Sequence, residues 1–142
     1  MPEFTRILIA DDDPQVLFIL RTSLERMGDE FEIVETSDGK EALAKVHAEP
    51  FDLIISDVRM PYISGIQLVE AIREAHINIT CIWITAYGCS NLQAELERLG
   101  VHGCLEKPLR IDEIRYAVLN ALKKDPNPNE LKPQWYSKRS GE

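Results

Sequence analysis

Four polar strings in the sequence each follow a short apolar run, and their chemistries fit together: Asp11-Asp12-Asp13, Ser56-Asp57, Thr85-Ala86 and Lys107-Pro108. Three carboxylates gathered at one place would repel one another unless a cation neutralised them. A hard, oxygen-seeking divalent ion is the natural solution, and Mg²⁺ is the expected occupant. A lysine reaching into the same cluster, with a hydroxyl beside it, would suit an added phosphoryl group, whose oxygens need both positive charge and hydrogen-bond donors. Taken alone, each acid has a plainer reading as a helix cap, Asp13 ahead of Pro14 above all. Four complementary strings in succession outweigh that reading.

Such residues meet only if the elements before them lie side by side. Runs rich in Ile, Val, Leu and Phe at Arg6–Ala10, Phe31–Glu35, Phe51–Ser56, Thr80–Thr85 and Val101–Glu106 predict five strands. Between the first two, Asp13 and Pro14 open a helix whose Val16, Leu20, Leu24 and Met27 recur every three or four residues before Gly28. Capping-box patterns at Asp38/Glu41, Ser64/Gln67 and Ser90/Gln93 open three more helices, and a fifth runs from about Ile111 to Lys124. Strand and helix alternate five times, which implies a parallel sheet covered on both faces. In such sheets the ligand site lies outside the carboxyl ends of the strands, where all four polar strings fall.

A chain of 142 residues is the size of one domain with little to spare. Its net charge of −8 disfavours direct nucleic-acid binding, which calls for a basic face. Residues 125–142 hold three acids and three bases, so the acidic surplus belongs to residues 1–124. The longest apolar run, Val16–Leu20, is far too short to span a bilayer, and the N-terminus lacks the pattern of a secretory signal, so no membrane contact and a cytoplasmic location are expected. Cys81, Cys89 and Cys104 are odd in number and lack a C-x-x-C pair, so reduced thiols are expected. Prolines from Pro126 to Pro133 mark residues 125–142 as a tail or linker after a domain at 1–124. Trp135 and Tyr136 in that tail fit either a docking contact or a fold-back on the domain.

Together, Ile7-Leu-Ile-Ala-Asp11-Asp12-Asp13, Asp52-Leu-Ile-Ile-Ser-Asp57-Val-Arg-Met-Pro61 with Gly65 beyond it, Trp83-Ile-Thr85-Ala86 and Glu106-Lys107-Pro108 resemble the receiver domains of two-component response regulators, over about residues 5–124. The strings around Asp57 and Thr85 are most similar to receivers of the nitrogen-regulator type. The resemblance implies a flavodoxin-like, doubly wound five-stranded parallel sheet of order 2-1-3-4-5 with five helices. It implies a phosphorylatable switch rather than a turnover enzyme: Asp57 would accept a phosphoryl group from a sensor histidine kinase or phosphotransfer protein. Asp12, Asp57 and the Arg59 backbone carbonyl would ligate Mg²⁺, with Asp11 acting through a water. Lys107 would pair with the phosphoryl oxygens across a cis bond to Pro108. Thr85, with Ala86 beside it, would couple phosphorylation to the face built by the fourth helix, fifth strand and fifth helix, through which a homodimer could form.

One departure from the family pattern stands out. Receivers usually carry Tyr or Phe three residues before the lysine, and here that position is Cys104; Tyr87 is a candidate substitute aromatic. Arg59 and Tyr87, two residues beyond Asp57 and Thr85, would obstruct the in-line approach of water to an acyl phosphate. His47, His76 and His102 share no ligand spacing and are expected at surfaces or helix ends, Trp83 is expected in the core, and Cys89 is expected to be inert. Two alternatives stand beside this reading. One is the receiver portion of a longer transcription factor, although Met1 suggests a natural start. The other is a Mg²⁺-dependent phosphohydrolase of the haloacid dehalogenase type, whose motif would require Thr or Val where Gln15 stands.

Overall fold

The computed structural model describes residues 4–122 and the backbone of residues 137–138. Five strands, β1 (Thr5–Ala10), β2 (Phe31–Thr36), β3 (Leu53–Asp57), β4 (Thr80–Thr85) and β5 (Gly103–Glu106), alternate with five helices, α1 (Pro14–Glu25), α2 (Gly39–Ala48), α3 (Gly65–Glu74), α4 (Gln93–Leu99) and α5 (Ile111–Ala121). The strands pair in parallel in the order β2-β1-β3-β4-β5, as expected. A sixth strand, β6 (Ser137–Lys138), adds antiparallel to β5, with Cys104 opposite Ser137. The five parallel strands, their order and the five helices are as expected, and this short return of the chain adds an antiparallel edge to them. The remainder of residues 123–142, including Trp135, Tyr136 and the proline-spaced stretch, lies outside the described residues.

The inner strands read as unbroken apolar runs because both faces of the sheet are covered. Alternate side chains feed two cores. Leu8, Ala10, Ile54, Trp83 and Cys104 pack toward α2, α3 and α4, while Ile7, Ile9, Leu53, Ile55, Ile82, Ile84 and Leu105 pack toward α1 and α5. Each fully buried Ile or Leu contributes about 1.5–3 kcal/mol, so the sheet rather than helix propensity holds the frame.

Local signals set most helix starts. Asp13 accepts from the Gln15 N–H and Pro14 fills the first turn; Asp38 accepts from the Glu41 N–H; Ser64 and Gln67 form a reciprocal capping box. The expected cap at Ser90 is absent. A 3₁₀ turn spans Cys89–Leu92, and α4 begins only at Gln93 without a side-chain cap. Bonds to the chain before and beside this segment hold it in the tighter turn: the Cys89 N–H donates to Glu106 Oε1 at 2.9 Å, and Asn91 Nδ2 donates to the Tyr87 carbonyl at 2.8 Å.

Candidate functional site

β1 and β3 are neighbours and β2 lies on the outer side of β1, so the chain direction of the crossovers reverses between β1 and β3 and opens a crevice there. Ala10 is paired with Ser56, which puts Asp11 level with Asp57 across that crevice. Asp57 is paired with Ile84 and Thr85 with Glu106, so Thr85 and Lys107 follow one step further along each strand end. The four polar strings therefore converge on one edge.

Asp57 ends β3 and is nearly buried. Its backbone is held from both sides: the Val58 N–H donates to the Ile84 carbonyl at 3.0 Å and the Gly65 N–H to the Val58 carbonyl at 2.8 Å. A Cβ at Gly65 would collide with the Asp57 carbonyl, so α3 can press against the end of β3 only with glycine there. The Trp83 indole N–H donates to the Gly65 carbonyl at 3.2 Å and ties β4 to the same point.

The three acids after β1 separate by role. Asp13 caps α1. Asp11 is fully buried, and its Oδ1 accepts the Asp13 N–H at 2.8 Å. Asp12 is exposed, and one carboxylate oxygen from each of Asp11, Asp12 and Asp57 lies within 4.8 Å of the others. Lys107 Nζ lies 3.0 Å from both Asp11 Oδ2 and Asp57 Oδ2. That Asp11 oxygen is sealed from solvent and meets a charge rather than an aligned donor. Burial pushes the Asp11 carboxyl up to about 6, against the Asp13 N–H bond and the adjacent Lys107 ammonium and with the Asp57 charge adding to the rise. Burial alone would lower the Lys107 ammonium, but the Asp11 and Asp57 carboxylates beside it outweigh that and hold the group above its ordinary value. A sealed carboxylate oxygen without an aligned donor, in a set of three hard oxygen donors, fits a small divalent cation.

Thr85 is buried, its Oγ1 accepts the Tyr87 N–H at 3.0 Å, and its carbonyl accepts the Lys107 N–H at 2.8 Å. The Lys107-Pro108 bond is cis. The Arg59 N–H donates to Asp57 Oδ1 at 3.3 Å, and the Arg59 guanidinium carbon stands 4.0 Å from the Tyr87 ring centroid. Tyr87 is 60% exposed, with its ring against Arg59, and Ala86 is exposed beside it.

The cysteines depart from expectation. Cys89 and Cys104 form a disulfide, with Cα atoms 5.8 Å apart, and Cys81 is the free thiol, buried. Fifteen residues separate the pair in sequence. They meet because β5 lies beside β4, Cys104 pairs with Trp83, and the chain leaving β4 turns back over β5. Only that strand adjacency could have signalled the bond; an odd cysteine count and the spacing could not. Among the histidines, His47 lies in the last turn of α2, His76 follows α3, and His102 Nε2 is 2.8 Å from Asn120 Oδ1, all away from the acidic cluster.

Residues 7–119 match the family model described as response regulator receiver domain. The chain is 35% identical over 115 residues to sensor protein EvgS of Escherichia coli (strain K12), covering 81% of this chain and 9% of that protein. It is 33% identical over 118 residues to response regulator protein PilR of Pseudomonas aeruginosa, covering 83% of this chain and 26% of that protein. The chain thus spans between 9% and 49% of the length of the curated relatives it matches. Among solved structures, chemotaxis response regulator CheY4 of Vibrio cholerae superposes with a TM-score of 0.75 at 27% identity, covering 83% of this chain and 98% of that one. Response regulator protein TrrA of Thermotoga maritima, in complex with Mg²⁺-BeF, gives 0.72 at 31% identity, covering 83% and 99%.

Proposed function

The chain belongs to the response regulator receiver domain family, and from that premise we propose that Asp57 is its phosphoacceptor in a switch supplied by a sensor histidine kinase or phosphotransfer protein. The observation that carries the assignment is Lys107 Nζ at 3.0 Å from both Asp57 and Asp11, inside a cluster of three carboxylates. An Asp57 carboxylate oxygen attacks phosphorus in the donor's phosphohistidine, the N–P bond breaks, and the leaving imidazole takes up a proton. Asp12, Asp57 and the Arg59 carbonyl would hold Mg²⁺ directly and Asp11 through a water; when bound, the ion supplies positive charge against the phosphoryl oxygens. The Lys107 ammonium, now shared by two carboxylates, turns to the new phosphoryl oxygens. Thr85 exchanges the Tyr87 N–H it now accepts for a phosphoryl oxygen to which it donates, and the β4–α4 connection moves with it.

In this reading residues 1–124 form the receiver and 125–142 a tail. The chain works in the cytoplasm, binds neither nucleic acid nor membrane by itself, and signals through the α4-β5-α5 face, by homodimerisation or by contact with a partner. It is not a turnover enzyme beyond its own phosphorylation and slow dephosphorylation. No observation favours the phosphohydrolase alternative; a longer regulator of which this is the receiver portion is compatible with every assignment above. Incubation with acetyl phosphate and Mg²⁺ should add one phosphoryl group by intact mass, and Asp57→Asn should abolish the gain. Full labelling of that variant would remove Asp57 from the role.

A further inference from the structure

The segment from Thr85 to Cys89 links the proposed site to α4, and it is fastened at both ends to β5 or its extension. At the start, the Thr85 carbonyl accepts the Lys107 N–H and Thr85 Oγ1 holds the Tyr87 N–H. At the far end, the Cys89 N–H donates to Glu106 Oε1, and Cys89 is covalently joined to Cys104 in the middle of β5. Only Ala86, Tyr87 and Gly88 lie between. Gly88 sits at φ 85°, a hinge conformation open to glycine. Along the chain, a displacement of Thr85 reaches α4 through this segment, and the disulfide pins its last residue to the sheet.

We propose that Cys89 and Cys104 are a reversible redox pair that gates transmission from Asp57 to the α4-β5-α5 face: closed as the disulfide, open as two thiols. This rests on the phosphoacceptor reading above and adds a second input to it. In a reducing compartment disulfides are ordinarily transient and regulatory, which matches a pair that joins the connection between β4 and α4 to β5. Closing the pair joins the two Sγ atoms. Each thiol gives up its proton, and the two electrons reduce a small-molecule disulfide such as oxidised glutathione to two thiols; an excess of the thiol form runs the exchange backwards through a mixed disulfide. Both cysteines are buried, so exchange requires the 86–92 segment to open. Gly88, Asn91 and Leu92 of this segment line a groove of about 540 Å³. Cys81 is fully buried beneath Arg73 and takes no part.

The test equilibrates the whole chain in glutathione buffers of graded ratio and counts free thiols by alkylation and intact mass, native and unfolded. Backbone hydrogen exchange is then measured with and without beryllofluoride plus Mg²⁺ in each redox state. Two thiols should disappear together as the buffer becomes oxidising, in the parent but not in Cys89→Ala or Cys104→Ser. The exchange response across residues 86–106 should be several-fold larger in the dithiol form, and Cys89→Ala should respond like the dithiol form in any buffer. Thiols that persist in the most oxidising buffer, or a ligand response that is present and equal in both redox states, would overturn the gate. If beryllofluoride and Mg²⁺ move nothing in the dithiol form, the phosphoacceptor reading fails instead. A redox-dependent difference in exchange at 86–92 without ligand would then still uphold the reversible pair and its hold on this segment, and its absence would overturn that too.

Discussion

Arg59 and Tyr87 leave the sheet on different loops and meet above its carboxyl edge, with the guanidinium 4.0 Å from the ring centroid. A cation on an aromatic face is worth about 0.5–2 kcal/mol, enough to hold two exposed side chains against each other. The Arg59 N–H also contacts Asp57, so the pair stands beside the path by which water would reach an acyl phosphate in line. Replacing both with alanine should shorten the phosphorylated lifetime, tenfold if the pair contributes about 1.4 kcal/mol to the hydrolysis barrier. Decay of the labelled protein measures this, and an unchanged rate would show that water enters elsewhere. Residues of this kind were legible because each is a polar or aromatic side chain at a fixed offset from an apolar run. Cys89 and Cys104 were not, since a thiol pair has no periodicity and its bond depends on which strands are neighbours.

At the scale of elements, strand identity was legible from apolar runs, and Ser64 and Asp38 announced their helices by short-range hydrogen bonds. α4 starts later than the Ser90 pattern predicts because Ser90 carries the right residue type in a segment whose bonds run to β5 and the β4 end rather than along a helix. α3 is latched to its neighbours by Arg73, whose guanidinium donates to the carbonyls of Ile79, Leu99 and Gly100. Beneath it, burial pushes the Cys81 thiol up to about 11 from 9.0, against the attraction of the Arg73 charge. The folded state thus favours the neutral thiol. Its contribution to stability is complete below pH 9 and is lost as pH rises from about 9 towards 11, where the unfolded chain ionises first. Denaturant titrations over that range should show a steeper alkaline loss for the parent than for Cys81→Ala. Identical slopes would mean that Cys81 does not titrate on unfolding.

For the whole molecule, an acidic chain of net charge −8 concentrates three carboxylates at one edge, and the folded state bears that repulsion. Mg²⁺ should therefore raise the melting temperature by binding the native state alone. Asp12 is the exposed member, so Asp12→Ala relieves charge without opening the core. The variant should melt at or above the metal-free parent and lose the Mg²⁺ response; a retained response would take Asp12 out of the metal site.

The tail bears on assembly through the edge of the sheet. Without β6, β5 would present unpaired backbone groups in the middle of the α4-β5-α5 face, the standard invitation for one sheet to join another. The sequence could mark residues 125–142 as outside the domain but not where they return, because a two-residue strand carries no alternation to read. So short a pairing adds little to stability, yet it occupies the edge that a second copy would use. Removing residues 123–142 should leave the melting temperature within a few degrees of the parent while hydrogen exchange at Gly103 and Cys104 rises. Sedimentation should show a larger dimer fraction for the truncated chain at equal concentration. A truncated chain that stays as monomeric as the parent would mean that β6 does not guard the face and that any homodimer forms through the helices beside it.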